Sequence, residues 1–162
     1  MLTPNDIQTY LDEQGILGEI LVLEVPTPTV EDAASAVGTT PQQIVKSILF
    51  MVADQPVLAV SCGTDRVDQR VIAAVYGVGR KKVKLASPEV MLEVSGYEAG
   101  AMPPFAHRQK IKTLLDQRVL QQPVVYAGGG AENALMRLSP EDILKATNAQ
   151  VMDLVNPPSV ES

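Results

Sequence analysis

Lys46 is the first cation of the chain, and it stands inside an apolar run, Val45-Lys46-Ser47-Ile48-Leu49-Phe50-Met51-Val52. Every charged residue before it is an acid: Asp6, Asp12, Glu13, Glu19, Glu24, Glu31 and Asp32. A lone ammonium on a strand of that character needs a partner or a purpose, because an unpaired charge is costly to take out of water. Alternation puts Lys46, Ile48, Phe50 and Val52 on one face and Val45, Ser47, Leu49 and Met51 on the other. Both faces are apolar, so a central strand covered on both sides is expected, with the Lys46 stem packed and its head aimed at an opening. The competing reading is a lysine that snorkels at a strand edge.

A second unusual stretch is Gly96-Tyr97-Glu98-Ala99-Gly100-Ala101-Met102-Pro103-Pro104-Phe105, too rigid and too apolar for an ordinary linker. Gly100 allows close approach of a ligand, and Pro103 with Pro104 stiffens the backbone, so the loop can present N–H groups to a developing oxyanion. Taken without Lys46, it reads equally well as a surface turn that packs Phe105 into the core.

Other chemistry is poorly supplied. One cysteine, Cys62, and one histidine, His107, are too few good ligands for a zinc site, and no metal or cofactor is expected. Cys62 reads as a small buried residue in a reducing compartment. Ser47, Ser61 or Ser139 with His107 would make only a guessed triad, since none sits on a nucleophile elbow. His107 is expected to face solvent, beside Arg108. Asp116 reads as the N-cap of a short turn at 117–120. Gly128-Gly129-Gly130 lacks the lysine of a phosphate loop and reads as a pocket wall or hairpin turn.

The net charge of −6 speaks against a general nucleic-acid coat and against DNA as a partner. The average hides an asymmetry: between Arg80 and Lys112 seven cations face three acids. One face can therefore meet an anion, with Arg80, Lys82, Arg108 and Lys110 as the candidate contacts, although the alternation of Lys82 with Lys84 and of Lys110 with Lys112 also suits a solvated strand face. No apolar stretch approaches a bilayer span and Met1 to Val25 has no basic leader, so a soluble, cytoplasmic protein without a membrane partner is expected. A monomer is expected too.

The elements that must position these residues are legible from their starts. Thr3-Pro4, Thr40-Pro41, Ser87-Pro88 and Ser139-Pro140 place a hydroxyl cap before a helical proline, and Asp6, Gln43 and Asp142 lie where a capping box needs a partner. Thr29 with Asp32 repeats the pattern without proline, and Gly15, Gly38, Gly77 and Gly96 fall at helix ends. Helices follow at 4–14, 30–37, 41–44, 68–76, 88–95 and 140–147. Strands are expected at 20–25, 45–53, 57–62, 82–86, 111–115, 124–127, 135–138 and 151–154, with a hairpin turn at Asp54-Gln55-Pro56. With 162 residues this makes one α/β domain: an N-terminal helix and strand at 1–28, the main unit at 29–154 and a flexible tail at 155–162.

The order of these features resembles the YbaK family, the editing-domain superfamily related to the insertion domain of bacterial prolyl-tRNA synthetase. The residues that carry it are Gln43-Ile44-Val45-Lys46-Ser47-Ile48-Leu49-Phe50, Gly96-Tyr97, Gly100 with Pro104-Phe105, Asp116 and the turn at Ala127-Gly128-Gly129. The resemblance spans roughly Thr29 to Leu154. It implies a twisted, partly barrel-like mixed sheet surrounded by short helices, and a trans-editing deacylase that hydrolyses mischarged aminoacyl-tRNA carrying a small amino acid such as Ala, Cys, Ser or Thr. It also implies prolyl-tRNA synthetase as a partner. Carried over, the family's essential lysine is Lys46, joined by Gly100. The substrate-binding set is Thr29, Ala101, Met102, Pro103, Pro104, Ala127, Gly128 and Gly129. The histidines common in the family before the first helix are missing from Val25-Pro26-Thr27-Pro28-Thr29, and Tyr126-Ala127 stands where Ser or Asn is common. Two alternatives stay open: a Cys-tRNA deacylase in which the substrate thiol attacks its own ester, and a non-catalytic module docking on a synthetase.

Overall fold

The computed structural model describes residues 1–155. Helix α1 (Pro4–Gln14) and strand β1 (Glu19–Val22) lead into α2 (Val30–Val37). A 3-10 turn, Pro41–Gln43, delivers the chain to the long hairpin of β2 (Val45–Val52) and β3 (Gln55–Cys62). There follow α3 (Gln69–Tyr76), β4 (Val83–Leu85), α4 (Pro88–Ser95), β5 (Lys112–Asp116), β6 (Val125–Gly128), β7 (Ala134–Leu138), α5 (Pro140–Thr147) and β8 (Gln150–Met152).

The expected α/β class and mixed sheet hold, and the barrel-like character is loose. Five strands run in the order β4-β2-β3-β5-β8, antiparallel at the β4 side and parallel from β3 onward. Three others form an antiparallel sheet, β1-β7-β6. Among the described residues a single parallel bridge, Ile44 to Tyr126, joins the two at the start of β2. This junction brings the glycine end of β6 close to Lys46.

Both faces of β2 are covered, as its pattern demands. Val45 and Leu49 join a core with Ile7 and Leu11 of α1, Val125 and Ala127 of β6, and Met136 of β7. Phe50 and Val52 join a second core with Ile72 and Ala73 of α3. Helix α2 closes a third, smaller cluster through Ala33 and Ala34 against Ile44 and Leu135.

Local details differ from expectation in four places. The hairpin turn is Ala53-Asp54, both in the left-handed region at φ 46° and 68°, which a two-residue type I′ loop requires. Gln55 and Pro56 already belong to β3, where Pro56 lies opposite Met51 and precedes the first residue paired with β5. The helix expected at 41–44 is only a 3-10 turn, and Gln43 donates to the Val124 carbonyl at 3.1 Å instead of closing a capping box. At α5 the Ser139 hydroxyl donates to Glu141 at 2.8 Å rather than pairing with Asp142. The tail expected from 155 lies outside the described residues except for Val155, which is buried and bridges Val67.

Candidate active site

Lys46 sits one residue into β2, opposite Ser61 of β3. The chain leaving β3 turns at Gly63, whose φ of 74° suits glycine, and the Gly63 N–H donates to the Ile44 carbonyl at 3.0 Å. That tie folds the following residues over the start of β2, so the Asp65 carbonyl accepts a hydrogen bond from Lys46 Nζ at 2.6 Å. The ammonium is half-buried. Burial lowers its pKa, and the Asp65 carboxylate works in the opposite direction.

Two cavities meet at this side chain. A cleft of about 320 Å³ is lined by Lys46 and Ser47, by Thr29 at the N-cap of α2 and Ala33 within it, by Met91 of α4, and by Gly100, Met102 and Gly128. Beyond Lys46 a groove of about 520 Å³ carries Arg66, Arg70 and Arg80, with Asp68. Asp68 pairs with Arg70 at 3.0 Å. Lys46, with Ile48, thus stands at the boundary between a small, largely apolar cleft and a cationic groove.

The cleft wall opposite Lys46 is the glycine-proline loop. Gly100 is exposed with φ 83°, and the Ala101 N–H closes a turn onto the Glu98 carbonyl at 3.1 Å. Among the described residues, the N–H groups of Gly100 and Met102 donate to no backbone carbonyl. Met102 is only 4% exposed and lines the cleft. Buried donors are almost always paired, and one left open at a cavity is suited to an acceptor brought by a ligand. The loop is pinned to the β6–β7 hairpin: the Gly130 N–H donates to the Ala101 carbonyl at 2.9 Å. A Cβ on Gly128 would lie 2.3 Å from the Met102 carbonyl oxygen, so only glycine allows this approach.

The structure gathers Lys46, Gly100, Thr29, Met102 and Gly128 around one cleft. Thr29 also caps α2, its hydroxyl accepting from the Asp32 N–H at 3.0 Å. The other residues expected to bind substrate do not line it. Ala127 is fully buried in the core beneath β6. Gly129 pairs with the Ala134 carbonyl at 3.0 Å. Ala101 and Pro103 are buried within the loop, and Pro104 lines a different cavity, of about 400 Å³, with Tyr10, His107, Arg108 and Lys110. Arg80 alone of the four expected tRNA contacts lies in the groove beside Lys46, while Lys82 follows it on an exposed 3-10 turn.

His107 does not face solvent. It is half-buried, with Nε2 2.7 Å from the Pro103 carbonyl oxygen, and burial lowers its pKa against the opposing effect of that bond. Cys62 is buried and free, and burial pushes its thiol up to about 11, which leaves it a poor nucleophile. Asp116 caps the 3-10 turn Gln117–Gln121 and is fully buried. Sequence reading did not bring Met91, Arg66 or Arg70 to this place, and named Ser47 only as a member of a guessed triad. The two arginines lie beyond the β2–β3 hairpin, and only the return of the chain at Gly63 brings them to Lys46.

Residues 24–146 match the aminoacyl-tRNA editing domain family. The chain belongs to that family. Among curated proteins it is 25% identical over 146 residues to the uncharacterized protein YwhH of Bacillus subtilis (strain 168), covering 90% of this chain and 91% of that one. It is 26% identical over 125 residues, 76% of this chain and 75% of the other, to EbsC of Enterococcus faecalis, a proposed Cys-tRNA(Pro)/Cys-tRNA(Cys) deacylase. A proline–tRNA ligase of Thermoanaerobacter sp. (strain X514) shares 25% identity over 115 residues, 68% of this chain but 20% of the ligase. A solved structure of a proposed trans-editing enzyme for prolyl tRNA synthetase superposes with a TM-score of 0.89 at 32% identity, covering 97% of this chain and all of that one (100%).

Proposed function

We propose that this editing domain acts in trans as an aminoacyl-tRNA deacylase, cleaving the ester of tRNA mischarged with a small amino acid. The observation that carries the reading is the place of Lys46, at the mouth of a small cleft on one side and an arginine-bearing groove on the other. An aminoacyl-tRNA end has that same division. A small side chain fits a cleft of about 320 Å³ walled by Ala33, Met91 and Met102, and the phosphates of the single-stranded end suit Arg66, Arg70 and Arg80.

The ester is already activated, so the protein has mainly to position it and stabilise the oxyanion. Water adds to the carbonyl carbon, the bond to the ribose oxygen breaks, and that oxygen leaves with a proton, giving free amino acid and tRNA. The Met102 N–H is the donor placed to meet the oxyanion, and Lys46 neutralises the nearby phosphate or holds the ester oxygen. Resemblance to EbsC supports a cysteinyl substrate, and with it a second reading is open, in which the cysteinyl thiol attacks its own ester. Prolyl-tRNA synthetase remains the proposed partner, on the strength of its homologous segment in proline–tRNA ligases.

The test is deacylation of a panel of tRNAs carrying Ala, Cys, Ser, Thr or Pro. Selective release of one amino acid is expected and names the substrate. A cyclic thiolactone product from Cys-tRNA would favour thiol attack over water. Binding without release from any member would sink the enzyme reading and leave a docking module.

A further inference from the structure

The loop that walls the cleft is braced from behind. The Arg108 N–H donates to the Ser95 carbonyl at 3.0 Å, closing residues 96–107 into one excursion. Inside it, fully buried Tyr97 donates its hydroxyl to the Ala106 carbonyl at 2.8 Å. Ala106 has φ 64°, a conformation alanine adopts only when its surroundings enforce it. The next residue is His107, whose ring meets the edge of Tyr97 at 6.1 Å and reaches the Pro103 carbonyl oxygen at 2.7 Å.

A carbonyl oxygen only accepts, so His107 must donate from Nε2. Pro103 and Pro104 have no N–H, so this part of the loop offers only carbonyls as polar handles, and that of Pro103 is the one His107 reaches. The opposite side is fixed by Gly130 on the Ala101 carbonyl and by Gly128 against Met102. We propose that His107 is a positioning residue for the cleft: by holding the Pro103 carbonyl it keeps the Gly100–Met102 backbone at the angle its free N–H groups need. The effect on turnover rests on the deacylase reading; the effect on the loop does not.

Steady-state deacylation and hydrogen–deuterium exchange over residues 98–106 are compared in wild type, His107→Leu and His107→Gln. Leucine removes the donor, and the glutamine amide reaches about as far as Nε2. His107→Leu is expected to lower kcat by up to about 10²-fold, the scale of a small misplacement of reacting groups, with KM nearly unchanged. Exchange should rise in the loop and not in β2 or β3, and His107→Gln should recover most of both losses. Unchanged kcat in His107→Leu, a glutamine variant as poor as leucine, or a defect confined to KM would overturn the proposal. If the leucine variant does not fold, the wild-type ring decides, because the chain has one histidine and its 15N spectrum is unambiguous. A neutral Nε2–H tautomer is expected, and an Nδ1–H tautomer refutes the brace. Wild type inert on every ester would remove the deacylase reading alone, and loop exchange with the tautomer would still decide the role of His107.

Discussion

Lys46 tests whether a charge on a covered strand serves stability or chemistry. Among the described residues its one hydrogen-bond partner is the Asp65 carbonyl, which solvent could satisfy in its place, and burial disfavours its charge. Little folding energy is therefore at stake. Lys46→Ala should lower kcat/KM for deacylation about 10²- to 10³-fold, the usual cost of one oxyanion or phosphate donor, and shift Tm by only a few degrees. Full activity, or loss of the folded state, would make the lysine structural. The residue was legible because an isolated cation in an apolar run contradicts its surroundings. Ala127 entered the substrate-binding set through the resemblance alone, and the alternation of β6 turns it into the core, where it is fully buried. Tyr126, on the other face of that strand, packs instead against the small cluster under α2.

At the scale of elements, helix starts were readable because a capping hydroxyl, a proline and a terminal glycine each act within one turn of chain. Thr29, Ser87 and the glycines at 15, 38, 77 and 96 hold the places and conformations that local rules give them. What could not be read was which strands share a sheet, since the bridge from Ile44 to Tyr126 joins segments far apart in sequence. Pro56 misled for a physical reason too: proline is a turn former, yet it is tolerated in a strand where its missing N–H has no partner to lose. Asp116 shows how much one residue can join. Its carboxylate accepts from the Arg118 N–H and the Leu154 N–H, both at 2.8 Å, tying the turn after β5 to the chain after β8. Arg118 adds a bond at 3.2 Å and continues to Asp153 at 2.8 Å. Asp116→Ala should cost about 3–5 kcal/mol in urea unfolding, because it strands buried donors and breaks this network. A loss below 1 kcal/mol would mean that water replaces the carboxylate, taking that as roughly the worth of an ordinary hydrogen bond.

For the whole molecule the decisive quantities are charge and protonation. His107 binds its proton less tightly when folded than the ordinary 6.5, so as pH falls through that value the unfolded chain gains protons first and stability declines, levelling off below the folded pKa. Tm measured from pH 8 to pH 5 should fall in wild type and stay flatter in His107→Gln. The carboxylates of Asp68 and Asp153, held low by hydrogen bonds from Arg70 and Arg118, respond in a separate window below about 3.8. On the proposed function, charge sets the encounter with RNA. A chain of net charge −6 repels a polyanion over most of its surface, so binding must rest on a few local cations. If the acceptor end runs past Lys46 through Arg66, Arg70 and Arg80, two to four phosphates are neutralised, and log K against log salt should slope by roughly −1.4 to −2.8 for a single strand. Arg66→Ala and Arg80→Ala should each flatten that slope by about 0.7. Arg108 and Lys110 line the cavity behind the loop, and replacing them moves the slope only if the body of the tRNA also reaches that side. A slope unmoved by Arg66 or Arg80 and reduced by Arg108 would put the RNA on the α1 side of the domain, where it could not deliver an ester to Lys46.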